Sequence, residues 1–138
     1  EVEPTLPDPF VLHEQGVIQL SEKQLNALEP IWRKMAEAKL SPRHQLLGHP
    51  DRLQGDMQSE CQLVSNGLYC GNASGWEDKR APRLLKQAGD WRLLLQIDSD
   101  PKGPRWMWGD CGRIYFWIRK QDLEERDFDQ TWLIQQCY

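Results

Sequence analysis

The second half of the chain is dominated by short apolar runs, which are typical of strands. Residues 91–98 form a nearly continuous apolar segment, as expected of a central strand covered on both faces. The runs at 105–109 and 113–119 flank a Gly-Asp-Cys-Gly sequence that is suited to a hairpin turn. The pattern predicts an α+β fold with two to four helices packed against a small, mainly antiparallel or mixed sheet. Its strands are expected near 91–98, 105–109, 113–119 and 131–137.

Helix signals are concentrated in the first half. Ser21 and Gln24 have the spacing of a capping box, and apolar residues then recur at helical intervals. We therefore expect a helix that begins after Ser21 and ends before Ser41-Pro42, with Pro30 either kinking it or beginning a second helix.

The remaining segments give shorter elements. Residues 57–70 fit a helix capped by Asp56, although the Asn66-Gly67 pair also allows a hairpin, and we favour the helix. We further predict a strand within 11–20, a helix over 81–88 and a helical turn over 121–126.

The domain organisation is predicted to be simple. Residues 1–10 contain three prolines and three acidic residues, which favour an extended lead-in or linker. Residues 11–138 have the length of a single domain. Because the chain begins with neither Met nor a signal peptide, we expect it to be a processed product or part of a longer protein.

Composition excludes several classes of partner. The net charge is −4 and the basic residues are dispersed, so we expect no nucleic-acid binding. No run approaches the roughly 18 apolar residues of a membrane span, so we expect no membrane association. The four cysteines contain no Cys-x-x-Cys pair, which favours free thiols in the cytoplasm and no cofactor.

Three carboxylates are the most interesting candidates for chemistry. Asp98 and Asp100 leave the predicted central strand and Asp110 lies in the predicted hairpin turn, so the three could converge. Converging carboxylates can hold Ca²⁺ or Mg²⁺, or act as an acid and base pair. The alternative, which we favour, is that these Asp side chains accept hydrogen bonds from backbone N–H groups in turns.

Histidine, cysteine and tryptophan give two weaker candidates. A transition-metal site from His44, His49, Glu60 and Cys61 meets no spacing template, and we predict no metal. Trp106 and Trp108, with Tyr115 and Trp117 across the predicted hairpin, are either core residues, which we favour, or a binding surface. The candidate binding residues are therefore His44, Asp98, Asp100, Trp106, Trp108 and Asp110.

An ordered series of motifs resembles a known family. The series includes residues 44–50, Gln54-Gly55-Asp56-Met57, residues 93–100 and Met107-Trp108-Gly109-Asp110, and it continues through Tyr115-Phe116-Trp117-Ile118. Over roughly residues 40–138 the chain resembles the C-terminal part of the YwqG-like family of bacterial proteins. The resemblance implies an α+β fold of unknown function without an established catalytic set. It also suggests an immunity or accessory role, because some members are encoded near toxin and secretion systems.

Two functional hypotheses follow. The first is a non-catalytic module that binds another protein, supported by the abundant aromatic residues, the acidic charge and the absence of a catalytic motif. The alternative is a small metal-dependent hydrolase or ligand-binding domain built on Asp98, Asp100 and Asp110. We favour the first and do not expect an enzyme.

Overall fold

The fold is built on a four-stranded antiparallel sheet whose strands lie in chain order, β1-β2-β3-β4. A computed structural model describes residues 5–39 and 41–138, so residues 1–4 of the predicted lead-in lie outside the described part. The strands are β1 (Gln45–Leu46), β2 (Trp91–Asp98), β3 (Arg113–Arg119) and β4 (Trp132–Gln136). The helices are α1 (Pro9–Glu14), α2 (Glu22–Ala38), α3 (Met57–Val64), α4 (Ala73–Trp76), α5 (Ala81–Leu84) and α6 (Lys120–Glu125), with 3-10 turns at Leu85–Asp90 and Phe128–Gln130.

The predicted α+β class with a mainly antiparallel sheet is confirmed, as are the strands at 91–98, 113–119 and 131–137. The described residues contain six α-helices rather than two to four. The additional ones are only four to six residues long, and one turn of helix leaves too few positions for a periodic pattern to be recognised.

The predicted helix starts are confirmed by their caps. Ser21 and Gln24 form the capping box of α2, which continues through Pro30 as a single helix and ends before Ser41. Asp56 caps α3 by accepting hydrogen bonds from the backbone N–H groups of Gln58 and Ser59 at 2.9 and 3.4 Å. Residues 57–64 are therefore helical, as favoured, and the hairpin alternative is wrong.

The strand predicted within 11–20 is wrong. Residues 9–14 are helical because Asp8 accepts a hydrogen bond from the Phe10 N–H at 2.8 Å and Pro9 occupies the first helical position. Both are helix-start signals that outweigh the short apolar run.

The strand predicted at 105–109 is also wrong. This stretch contributes only an isolated bridge between Asp100 and Trp106, and the remaining strand of the sheet is β1, which the sequence pattern did not predict. Arg105 and Gly109 have φ of 62° and 60°, which are incompatible with an extended strand. Residues 99–112 therefore form a loop that joins the paired strands β2 and β3.

One face of the sheet carries the core. Paired residues on neighbouring strands project to the same side, which places Trp91, Leu93, Tyr115, Trp117 and Ile134 together. All five are buried against Met57 and Cys61 of α3. We call this the covered face. Burying each large apolar side chain contributes about 1.5–3 kcal/mol, so this cluster is a main source of stability.

The opposite face carries an apolar row that crosses all four strands. Leu46 pairs with Leu95, Leu95 with Phe116, and Phe116 with Leu133. Leu46 is 72% exposed and Leu133 50% exposed, while the two inner residues are half-buried. We call this row the open face, since none of the described residues covers its two ends.

Two further findings concern the whole described chain. None of its helices is long and apolar enough to cross a membrane. All four cysteines are free thiols, with Cys61 buried in the core and Cys111 exposed.

Candidate functional site

The end of β2 is occupied by a buried ion pair. Asp98 lies opposite Arg113 of β3, and Arg113 Nε is 2.9 Å from Asp98 Oδ1. The contact is an ion pair rather than a hydrogen bond, because the Arg113 Nε–H has no acceptor in hydrogen-bonding geometry among the described residues. The side chains are only 5% and 6% exposed. Burial lowers the pKa of Arg113, but Asp98 and Tyr115 together outweigh burial and raise that pKa above its ordinary value.

Asp98 is further fixed by its neighbours. Its Oδ2 accepts a hydrogen bond from the Arg43 backbone N–H at 2.9 Å. Its own backbone N–H donates to His44 Nδ1 at 3.2 Å, and its carbonyl oxygen accepts from Trp106 Nε1 at 2.9 Å. The Asp98 carboxylate is therefore committed to holding the chain segments that surround it.

Asp100 shapes the turn that follows. Its Oδ1 accepts hydrogen bonds from the backbone N–H groups of Lys102 and Gly103 at 3.0 and 2.8 Å, and its Oδ2 lies 3.9 Å from His44 Nε2. The bond from Gly103 is the main reason why the pKa of Asp100 is lowered, and His44 lowers it further. This is the turn role that the sequence favoured for an Asp after a strand.

Asp110 lies apart from the other two carboxylates. It is exposed in the loop, and its carbonyl oxygen accepts a hydrogen bond from the Tyr138 N–H at 3.2 Å. Across residues 5–39 and 41–138, no three His, Cys, Asp or Glu side chains are grouped so that they could hold a metal ion. The described geometry thus does not bring the three predicted carboxylates together.

The same holds for the histidine and cysteine candidates. Cys61 lies in the core, where burial raises the pKa of its thiol, which therefore stays protonated. Burial, assisted by Asp56, also raises the pKa of Glu60. In the chain, His44 precedes β1 and His49 follows it. Partial burial and the positive charge of Arg92 lower the pKa of His49.

The predicted aromatic residues do come together, with His44. The rings of Trp106 and His44 meet edge to face at 6.0 Å, and Trp106 and Trp108 lie 5.9 Å apart. Trp106 is 37% exposed and its neighbour Met107 is half-exposed. We call residues 106–108 the aromatic loop. By contrast, Tyr115 and Trp117 are buried core residues, so the favoured core interpretation holds for them.

The aromatic loop lies beside the open face, at the end of the sheet where β2 ends and β3 begins. His44 directly precedes β1, one residue before Gln45, and therefore projects to the same side of the sheet as Leu46. A Cβ on Gly109 would meet the Gln135 side chain at 2.8 Å, and Gln135 belongs to that same side because it follows Leu133 by two residues. The aromatic loop thus adjoins the open face through His44 and Gln135.

Sequence reasoning missed a cavity beside the sheet. Its volume is about 390 Å³, and its apolar wall comes from α1, α3 and the strands β2 and β3, with the side chains Val11, Leu12, Met57, Trp91, Leu93 and Trp117. His49, Arg52 and Arg92 add polar groups. The only sequence signal was the Asp8-Pro9 helix start, because it is α1 that closes this side.

The loop over residues 43–56 is held to the sheet by buried polar side chains. Gln96 donates to the Arg43 carbonyl and accepts from the Asp51 N–H, at 2.8 and 2.9 Å. Tyr115 Oη donates to the Asp51 carbonyl at 2.8 Å, and Gln136 Oε1 accepts from two further N–H groups of the loop. Side chains of the sheet therefore satisfy several backbone groups of this loop.

Comparison with known proteins places this chain in a family. A family model described as a domain of unknown function, DUF1963, matches residues 8–137. The chain belongs to this family. No curated protein matches the chain. The match includes every candidate residue of the DUF1963 domain discussed above, together with the cavity wall from Asp8 onward.

Proposed function

We propose that this chain is a non-catalytic protein-binding module, a YwqG-like member of its family, and that it binds its partner through the open face and the aromatic loop. The observation that carries the proposal is the apolar row Leu46, Leu95, Phe116 and Leu133, whose ends are exposed. Contiguous exposed apolar surface of this kind marks interaction sites in soluble proteins.

The aromatic loop supports the same surface. Exposed Trp and Met side chains next to an apolar row supply the large contact areas that dominate binding energy at interfaces. Trp106 is also positioned rigidly, because its Nε1 donates to the Asp98 carbonyl oxygen at the end of β2. A side chain held in place loses little entropy on binding, which favours affinity.

The charge at the end of the sheet opposite the aromatic loop indicates the chemistry of the partner. Residues 120–130, which connect β3 to β4 at the other end of the sheet, contain five acidic and two basic residues, a net charge of −3. Complementary charge speeds association and selects partners. The partner we propose is therefore a protein segment with an apolar face flanked by Lys or Arg.

The predicted acidic residues support a structural role rather than a catalytic one. Asp98 is engaged by Arg113 and Arg43, and Asp100 by two backbone N–H groups. The resemblance to the YwqG-like family adds the setting that we propose for the partner, a bacterial toxin or secretion system in which this domain is a cytoplasmic immunity or accessory factor.

Selection of peptides from a random displayed library tests the proposal. We expect the selected peptides to combine apolar residues with flanking Lys or Arg. Their affinity, measured by fluorescence anisotropy, should fall about tenfold or more for Leu133→Ser. Ile31→Ser on α2 is the matched control, because Ile31 has a similar exposure of 58% and lies outside the surface.

Two outcomes would overturn the proposal. Peptides that bind Leu133→Ser and the wild type equally well would show that the open face is not the binding site. Sedimentation that reveals a stable dimer, abolished by Leu133→Ser but not by Ile31→Ser, would show that a second copy covers this face instead of a partner protein.

A further inference from the structure

The cavity beside the sheet has the properties of a small-molecule site. Its volume of about 390 Å³ lies within the range of about 300–1,000 Å³ that is usual for ligand pockets, and its wall is mostly apolar. Two large aromatic side chains, Trp91 and Trp117, form part of that wall while they belong to the core of the covered face. The site is thus built partly on side chains of the hydrophobic core.

The polar groups of the cavity differ in how fully they are engaged. Arg52 Nε is paired with Asp8 Oδ2 at 2.5 Å, so its charge is neutralised. Arg92 donates to the carbonyl oxygens of Gly89 and Trp91, and no carboxylate within the described ranges lies within ion-pair distance of it. Arg92 is therefore the cation of the cavity wall that has no carboxylate at ion-pair distance. The carboxylate of Asp56 also lines the cavity, where it accepts hydrogen bonds from the Gln15 side chain and from the backbone N–H groups of Gln58 and Ser59.

His49 adds a neutral hydrogen-bonding group next to that cation. Partial burial lowers the pKa of His49 and the positive charge of Arg92 lowers it further, which favours the uncharged imidazole at neutral pH. An uncharged imidazole offers one donor and one acceptor. A negatively charged headgroup would therefore meet a guanidinium and an imidazole, while the rest of the ligand contacts apolar side chains.

We propose that this cavity binds a small organic monocarboxylate with an apolar body, its carboxylate at Arg92 and His49 and its body between α1 and the covered face. The apolar wall of this site belongs to the covered face, and none of the residues that line the cavity belongs to the apolar row or to the aromatic loop. Failure of this site would therefore leave the proposed protein-binding function untouched.

Octanoate, octanol and octylammonium are suitable probes, because they share one apolar body and differ only in the charge of the headgroup. Intrinsic fluorescence reports binding directly, since two tryptophans line the cavity. We expect octanoate to bind in a 1:1 ratio and at least tenfold more tightly than octanol, with octylammonium weaker still. Arg92→Gln should weaken octanoate about tenfold or more and leave octanol nearly unchanged.

Glycine positions provide a matched pair of blocking variants. Gly89 lines the cavity, and a Cβ there would meet no atom within 4 Å, so Gly89→Phe should fill the space without a clash at its first atom. Gly55 is equally open but lies outside the cavity wall, and Gly55→Phe is the control. Octanoate binding should be lost in the first variant and retained in the second.

The proposal is overturned if octanol binds as tightly as octanoate, or if Gly89→Phe binds octanoate normally. Should Gly89→Phe fail to fold, NMR contacts between octanoate and the Met57 methyl group of the wild-type protein decide the question. Contacts at Met57 support the site, and their absence at saturating octanoate rejects it.

Discussion

The ion pair between Asp98 and Arg113 permits a direct test of whether Asp98 is structural. Both side chains are almost completely buried and lie 2.9 Å apart. Replacing Arg113 with Gln leaves a buried carboxylate without its opposite charge. Loss of one partner of a buried pair costs about 3–5 kcal/mol, because the remaining charge is neither solvated nor neutralised.

A double-mutant cycle separates the pairing energy from the loss of other contacts. Arg113 Nη1 also donates to the Asp51 carbonyl at 2.8 Å, so Arg113→Gln alone removes more than the ion pair. In Asp98→Asn/Arg113→Gln, two neutral amides replace the two charges. We expect the double variant to be more stable than Arg113→Gln, with a coupling energy of about 2 kcal/mol or more.

The exposed pair Asp78 and Arg80 is a matched control. Its Nε–Oδ1 distance of 3.0 Å is nearly the same, but the side chains are 26% and 48% exposed. Water screens such a pair, so the same cycle should give a coupling energy close to zero and well below that of the buried pair. Urea unfolding followed by tryptophan fluorescence measures both cycles.

Equal coupling energies in the two cycles would refute the reasoning, since burial would then make no difference. So would an Asp98→Asn variant that is more stable than the wild type. A gain of stability on removing a charge is typical of functional residues that are kept at a cost to the fold. That result would reopen the alternative in which Asp98 serves a ligand-binding or hydrolytic site.

The first turn of α3 gives two further predictions. Asp56→Ala should destabilise the domain by about 1–2 kcal/mol in urea unfolding, because α3 loses its cap; an unchanged midpoint would contradict the capping role. Glu60→Gln should raise the melting temperature at pH 7, because the raised pKa of Glu60 means that its ionised form opposes folding. This destabilisation disappears as the pH falls below the pKa that Glu60 has in the unfolded chain, so the variant and the wild type should have the same melting temperature in acid. A difference in melting temperature that is constant at all pH values would contradict the reasoning.

Local signals explain what the sequence predicted correctly. The caps at Ser21 and Asp56 act within three or four residues, so their side chains and targets are adjacent in the chain. The apolar run at 91–98 likewise reports burial of a single strand. Such features depend on neighbours in sequence, which makes them readable without a structure.

The errors arise where distant residues decide the local structure. Residues 105–109 have a strand-like composition, but Arg105 has a positive φ and the Trp106 side chain turns back to bond with the Asp98 carbonyl oxygen. The sequence also placed Asp98 at the end of a strand without revealing that Arg113 lies opposite. Composition identifies residues that can pair, whereas sheet register determines which of them do.

The open face depends on register even more strongly. Leu46 lies opposite Leu95 although 49 positions separate them, and β1 is only two residues long. A shift of one residue would turn Leu46 toward the covered face and bring Gln45 to the open one. The apolar row is thus a property of the four-strand alignment and cannot be read from any one segment.

The loop over residues 43–56 contributes residues to both proposed sites. It begins beside His44 at the open face and reaches the cavity at His49 and Arg52, and along its length the sheet supplies its hydrogen-bond partners. Gln96 is completely buried, so replacing it by Leu would leave the Asp51 N–H and the Arg43 carbonyl without hydrogen-bond partners. Each unpaired group should lower the stability of the domain by about 1–3 kcal/mol. The polar groups of Gln96, Tyr115 and Gln136 on the covered face thus have a structural role, since they bind the backbone of this loop. We therefore expect a loosened loop to weaken binding at both surfaces at once.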